Sequence, residues 1–135
     1  MWLPDTIMGR TKFFAWASLV SQTLIIGTGG AVRLTESGLG CPTWPRCTEY
    51  SFVSTPEMGF HGIIEFGNRL LTFVLIIIAI GMFLMVVRMR KERPELLRLS
   101  VALGLGIPAQ AVIGGITVLT DLNPYVVGLH YLLSA

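Results

Sequence analysis

The stretch His61-Gly62-Ile63-Ile64-Glu65-Phe66-Gly67-Asn68-Arg69 places an imidazole, a carboxyl, an amide and a guanidinium at the head of an apolar run that continues to Val87. An α-helix turns about 100° per residue, so His61, Glu65 and Asn68 at i, i+4 and i+7 share one face. Imidazole binds metals and carries protons, a carboxylate accepts them, and a guanidinium pairs with carboxylates. Ionisable groups inside an apolar span are costly and mark sites. The only other histidine, His130, also lies near the start of an apolar run. The structural alternatives are plain ones. A histidine near a helix end serves as an interfacial polar group, and Glu65 is either a buried neutral acid or a partner for Arg69. Desolvation and a guanidinium pull on a carboxyl proton in opposite senses, a balance that suits proton transfer.

The elements that must carry these groups are membrane helices. The 135 residues are 53% hydrophobic and only 13% charged, where soluble domains carry about a quarter charged residues. Three apolar segments, 13–32, 59–87 and 96–119, are each long enough to span a bilayer. A fourth, 125–135, is too short at 1.5 Å per residue. The chain is therefore expected to stop within its fourth helix and to be the amino-terminal part of a longer protein or an incomplete record. The first segment lacks a clear small-x-small cleavage site after a short apolar core, which favours an anchor over a signal peptide. Arg10 and Lys12 before the first span, and the basic run from Arg88 to Arg98, place both regions in the cytoplasm by the positive-inside rule. The 33–58 loop and the 121–124 turn are then outside the cell membrane. No basic face with interleaved aromatics appears, which argues against a nucleic-acid partner.

Cys41 and Cys47 lie in that outer loop, where an oxidising compartment favours a disulfide. The pair is either a structural staple or a redox-active couple, and it lacks the partners of a zinc site. Trp44 suits a position at headgroup level. The first span ends Gly29-Gly30-Ala31-Val32-Arg33-Leu34-Thr35 and the third ends Gly114-Gly115-Ile116-Thr117-Val118-Leu119-Thr120. Both read Gly-Gly-x-x-x-Leu-Thr, and each precedes a helix that carries a histidine. Two related hairpins would explain this, although glycine and leucine are common in membrane helices. Glycines also let helices pack closely and make room for a flat ligand. His61 and His130 enter from the same side and lie at comparable depths. Two imidazoles on separate helices of a four-helix bundle are a common way to hold haem iron.

Taken together, residues 28–47, 61–69 and 110–120, with Asn123-Pro124 and Leu129-His130-Tyr131-Leu132-Leu133-Ser134, resemble the amino-terminal half of haem A synthase. The Glu65 stretch is most similar to actinobacterial members. The resemblance covers nearly the whole chain. It implies an all-α membrane fold: a four-transmembrane-helix bundle, here with its fourth helix truncated, forming half of a pseudo-two-fold eight-helix protein. The implied reaction oxidises a ring methyl of haem O to the formyl group of haem A, the cofactor of terminal cytochrome oxidase. The amino-terminal half holds the substrate haem, and a haem b in the missing half delivers electrons. Glu65 matches the family's essential glutamate, Cys41 and Cys47 its loop pair, and His130 its ligand on the fourth helix. Haem O synthase and cytochrome oxidase are the implied protein partners, and the oligomeric state stays open.

One position departs from the family pattern Glu-x-x-His-Arg, because Asn68 stands where the histidine would be. Asparagine is a poor iron ligand. Either His61 takes the second axial place, or His130 binds iron with an open position opposite, which oxygen chemistry would use. Arg69 and Arg33 are candidates for propionate contacts. A membrane cytochrome that only carries electrons is the alternative function, and an incomplete scaffold half, inactive alone, is a third. Little activity is expected from these 135 residues by themselves.

Overall fold

A computed structural model describes residues 5–135, and side chains from residue 8 onward. It is all helical among those residues. The helices are α1 (Asp5–Leu34), α2 (Gly59–Val87), α3 (Pro94–Leu119) and α4 (Pro124–Ser134), with a 3-10 turn (Pro56–Met58) leading into α2. Three of them are long and apolar enough to cross a membrane: Met8–Leu34, Pro56–Val87 and Pro94–Leu119. The chain is a membrane protein. Its apolar side chains point outward along these helices, as with Phe13 at 67% and Ile77 at 68% exposure, which suits lipid rather than water as solvent.

Local chemistry sets the helix ends. Pro94 and Pro124 open α3 and α4, where the missing N–H costs nothing. The Asn123 side chain accepts a hydrogen bond from the Tyr125 N–H at 3.0 Å and caps α4. Pro108 sits inside α3, and the residue four places earlier, Gly104, has no side chain to add to the crowding at its carbonyl.

Helices α1 and α3 end in the same hydrogen-bond pattern, although Leu122 after α3 also takes a positive φ, 58°. Glu36 and Asp121 adopt positive φ, at 54° and 48°. The Ser37 N–H then donates to the Val32 carbonyl at 2.9 Å, and the Leu122 N–H to the Thr117 carbonyl at 2.8 Å. Glu36 N–H donates to Arg33 and Asp121 N–H to Val118, both at 3.2 Å. These are two Schellman caps. Thr35 and Thr120 each turn their hydroxyl onto the carbonyl four residues back, at 2.8 Å in both cases. The repeated Gly-Gly-x-x-x-Leu-Thr is thus a repeated helix stop.

Each helix packs on its neighbours in chain order: α1 on α2, α2 on α3, α3 on α4. Phe14 of α1 fills the space over Gly81 of α2. Helix α2 packs mainly on α1 and then on α3, while α4 packs on α3.

Candidate functional site

The 33–58 loop folds back over the first two turns of α2. Gly40 lies so close to the His61 carbonyl that no side chain would fit there. The loop is closed on itself by the Cys41–Cys47 disulfide, with both sulfur-bearing residues fully buried. The Cys41 N–H donates to Glu65 Oε2 at 2.7 Å. The Arg69 guanidinium donates to the carbonyls of Cys41 at 2.9 Å, Thr43 at 3.0 Å and Arg46 at 3.1 Å. It also pairs with Glu65 Oε1. Both backbone polar groups of Cys41 are therefore held by side chains one turn apart on α2, and Glu65 is only 5% exposed. A buried carboxylate with a charged partner and a backbone donor is a satisfied one.

The face predicted from the sequence is real, and it is turned toward α1 and the loop that follows. His61 Nδ1 lies 2.8 Å from Ser37 Oγ. Glu65 meets Cys41. Asn68 Oδ1 accepts from the Thr28 hydroxyl of α1 at 2.7 Å, so the amide joins two helices. The structure brings His61, Glu65, Asn68, Arg69, Cys41 and Cys47 together. His130 stands apart from them on α4, its ring lying over Gly114 of α3, and its Nδ1 is buried with no hydrogen-bond partner. Arg33 is exposed in the last turn of α1, where a cation complements the helix dipole. Its side chain makes no hydrogen bond or ion pair among the described residues.

Sequence reasoning missed Ser37, and it named Trp44 and Arg69 without their contacts to α3 and to the loop carbonyls. Ser37 is fully buried and holds the His61 ring. Trp44 reaches across to α3 and lies on Gly115, the residue beside the His130 seat. Arg69 proves to be the clamp of the loop. A serine in a loop and an arginine near a helix start carry no signal of such contacts. The Gly114-Gly115 pair did carry one, since adjacent glycines on a helix admit rings at close range.

Comparison with known proteins identifies the family. The model of the cytochrome oxidase assembly protein family matches residues 12–61 and 49–135. The heme A synthase of Lysinibacillus sphaericus is 33% identical over 126 residues, 91% of this chain and 40% of the relative. That of Geobacillus thermodenitrificans is 30% identical over 122 residues, 90% of this chain and 38% of the relative. The chain thus spans about two fifths of the length of the curated relatives it matches. No solved structure matches it significantly. With a family match running from residue 12 to the last residue, the chain belongs to the haem A synthase family of cytochrome oxidase assembly proteins.

Proposed function

We propose that this chain is the part of a haem A synthase that holds haem O while its ring methyl is oxidised to the formyl of haem A. The observation that carries the reading is the buried Glu65 carboxylate, tied to the Cys41–Cys47 loop by the Cys41 N–H and by Arg69. Haem O supplies the iron and the methyl group. The chain's own residues bind, orient and move protons. His130 is the proposed axial donor: its ring rests on Gly114, and a buried ring nitrogen with no protein partner fits a residue kept for a ligand. His61 is the proposed second donor, in place of the histidine absent at position 68. Glu65 is the proposed proton-transfer group, held at the Cys41–Cys47 loop by the Cys41 N–H and Arg69. Arg69 already serves three loop carbonyls, so Arg33 is the freer cation for a propionate.

The proposed setting is the cell membrane, with the amino terminus cytoplasmic and the 33–58 loop outside, in accord with the basic residues at the opposite helix ends. Haem O synthase would deliver the substrate and cytochrome oxidase would receive the product. A haem b that passes electrons is assigned to the part of the longer relatives that this chain does not match.

Co-expression with a source of haem O, followed by mass analysis of extracted haem, tests the reading. Haem A is expected only when Glu65 is present and the electron-delivering part is supplied. Normal haem A from Glu65→Gln would remove the assigned role. A purely electron-carrying cytochrome would leave haem unmodified and be indifferent to Glu65.

A further inference from the structure

The contacts behind His61 form a closed count of protons. Thr35 Oγ1 and the Ala31 carbonyl oxygen are 2.8 Å apart. Two oxygens at that distance need a proton between them, and a carbonyl has none, so the threonine hydroxyl supplies it. Thr35 Oγ1 and Ser37 Oγ are 2.7 Å apart. The threonine proton is already used, so the serine must donate here. Its other acceptor, the Thr35 carbonyl at 3.4 Å, lies on the same side. Ser37 Oγ and His61 Nδ1 are 2.8 Å apart. With the serine proton spent, the ring must donate, which makes Nδ1 the protonated nitrogen. The end of α3 repeats the first step: Thr120 directs its hydroxyl onto the Ile116 carbonyl at the same distance.

From this chain of donors we infer that Thr35 and Ser37 are positioning residues that lock neutral His61 as its Nδ1–H tautomer and leave Nε2 a bare electron pair for a metal centre. Metal-bound histidines are oriented in this way, with the second ring nitrogen donating to a fixed acceptor. The relay ends on a backbone carbonyl, which cannot pass a proton on, so it anchors the ring and does not shuttle protons. His61 lines an open cavity of about 360 Å³ together with Glu36, Leu39, Gly40, Pro42 and Met58. Ser37 itself is fully buried. The inference rests on the reading of His61 as a haem ligand for the identity of the metal, iron, and on geometry alone for the tautomer.

Nitrogen-15 NMR of the imidazoles in the full chain, in lipid nanodiscs without haem and at a pH where the rings are neutral, tests it. His61 is expected to show the Nδ1–H pattern. One ordinary hydrogen bond biases the tautomer ratio by about tenfold, so Ser37→Ala should return about that factor toward the Nε2–H form. Thr35→Val, which keeps shape and frees the serine proton to turn toward the ring, should do the same. His130 should be unmoved by either change. A wild-type His61 in the Nε2–H form, or a tautomer indifferent to both substitutions, overturns the inference. A haem titration separates the underlying reading. If His61→Ala leaves the haem spectrum unchanged while the tautomer behaves as described, the relay stands and iron is not its ligand.

Discussion

The loop-side ends of α1 and α3 carry the same sequence and the same cap, yet they are used differently. After α1, the residue that closes the cap is Ser37, a hydroxyl that reaches His61. After α3 it is Leu122, whose side chain fills the space beside Gly38. The glycine pairs diverge in the opposite sense. Gly29 and Gly30 face open space, while Gly114 and Gly115 sit under the rings of His130 and Trp44. One hairpin end has been given polar chemistry and the other close packing. A shared backbone motif therefore says where a helix stops, and the neighbours decide what the stop is for.

The largest expected effect lies on the α1 side, where charge holds the loop. Arg69→Ala would leave the buried Glu65 carboxylate with its charge unpaired and three loop carbonyls without their donor. Breaking a buried pair in this way costs about 3–5 kcal/mol. Thermal unfolding in detergent should show it, and Glu65→Gln added to Arg69→Ala should recover part of the loss. An unchanged midpoint would mean that the disulfide alone holds the loop.

The glycine pairs give the next effect. Gly115→Ala drives a methyl group into the Trp44 indole, and such overpacking costs about 1–3 kcal/mol. Gly30→Ala meets nothing and should stabilise α1 by up to about 1 kcal/mol through helix propensity. Opposite signs in the two unfolding midpoints sharpen the comparison, and equal signs break it. The smallest effect concerns the caps themselves. Glu36→Gly and Asp121→Gly each relieve a left-handed residue, a gain of about 1 kcal/mol or less. The two gains should be similar, because Glu36 and Asp121 hold nearly the same positive φ, at 54° and 48°, although Leu122 at 58° adds a second left-handed residue to the α3 cap. A large difference would show that one cap is strained by its surroundings.

Much of the frame was legible in the residues. Apolar run lengths marked the three long helices and the start of the fourth near Tyr125, and the i, i+4, i+7 spacing of His61, Glu65 and Asn68 marked a shared face. The repeat of Gly-Gly-x-x-x-Leu-Thr at the ends of two spans suggested related hairpins, and the structure makes it a repeated helix stop. What the spacing could not say is where the face points. That depends on a loop whose path is set by Gly40 against α2, by the disulfide and by the Arg69 carbonyl contacts. Each of these joins residues more than twenty positions apart or depends on a backbone bend, and periodicity is blind to both. The same limit hid the Ser37 contact and the seat of Trp44 on Gly115. Asn68 was recognised as a departure from the family pattern, but its bond to Thr28 of α1 needed coordinates.

The central proposal is that His61, held by Ser37, is an iron ligand in place of the histidine absent at position 68, with His130 as the other donor. The most direct measurement is the absorption spectrum of the haem-loaded chain in lipid nanodiscs, compared across His61→Ala, His130→Ala and Asn68→Ala. The account predicts a low-spin, two-histidine spectrum for the wild type and for Asn68→Ala, lost in both histidine variants. A low-spin spectrum that survives His61→Ala would contradict it.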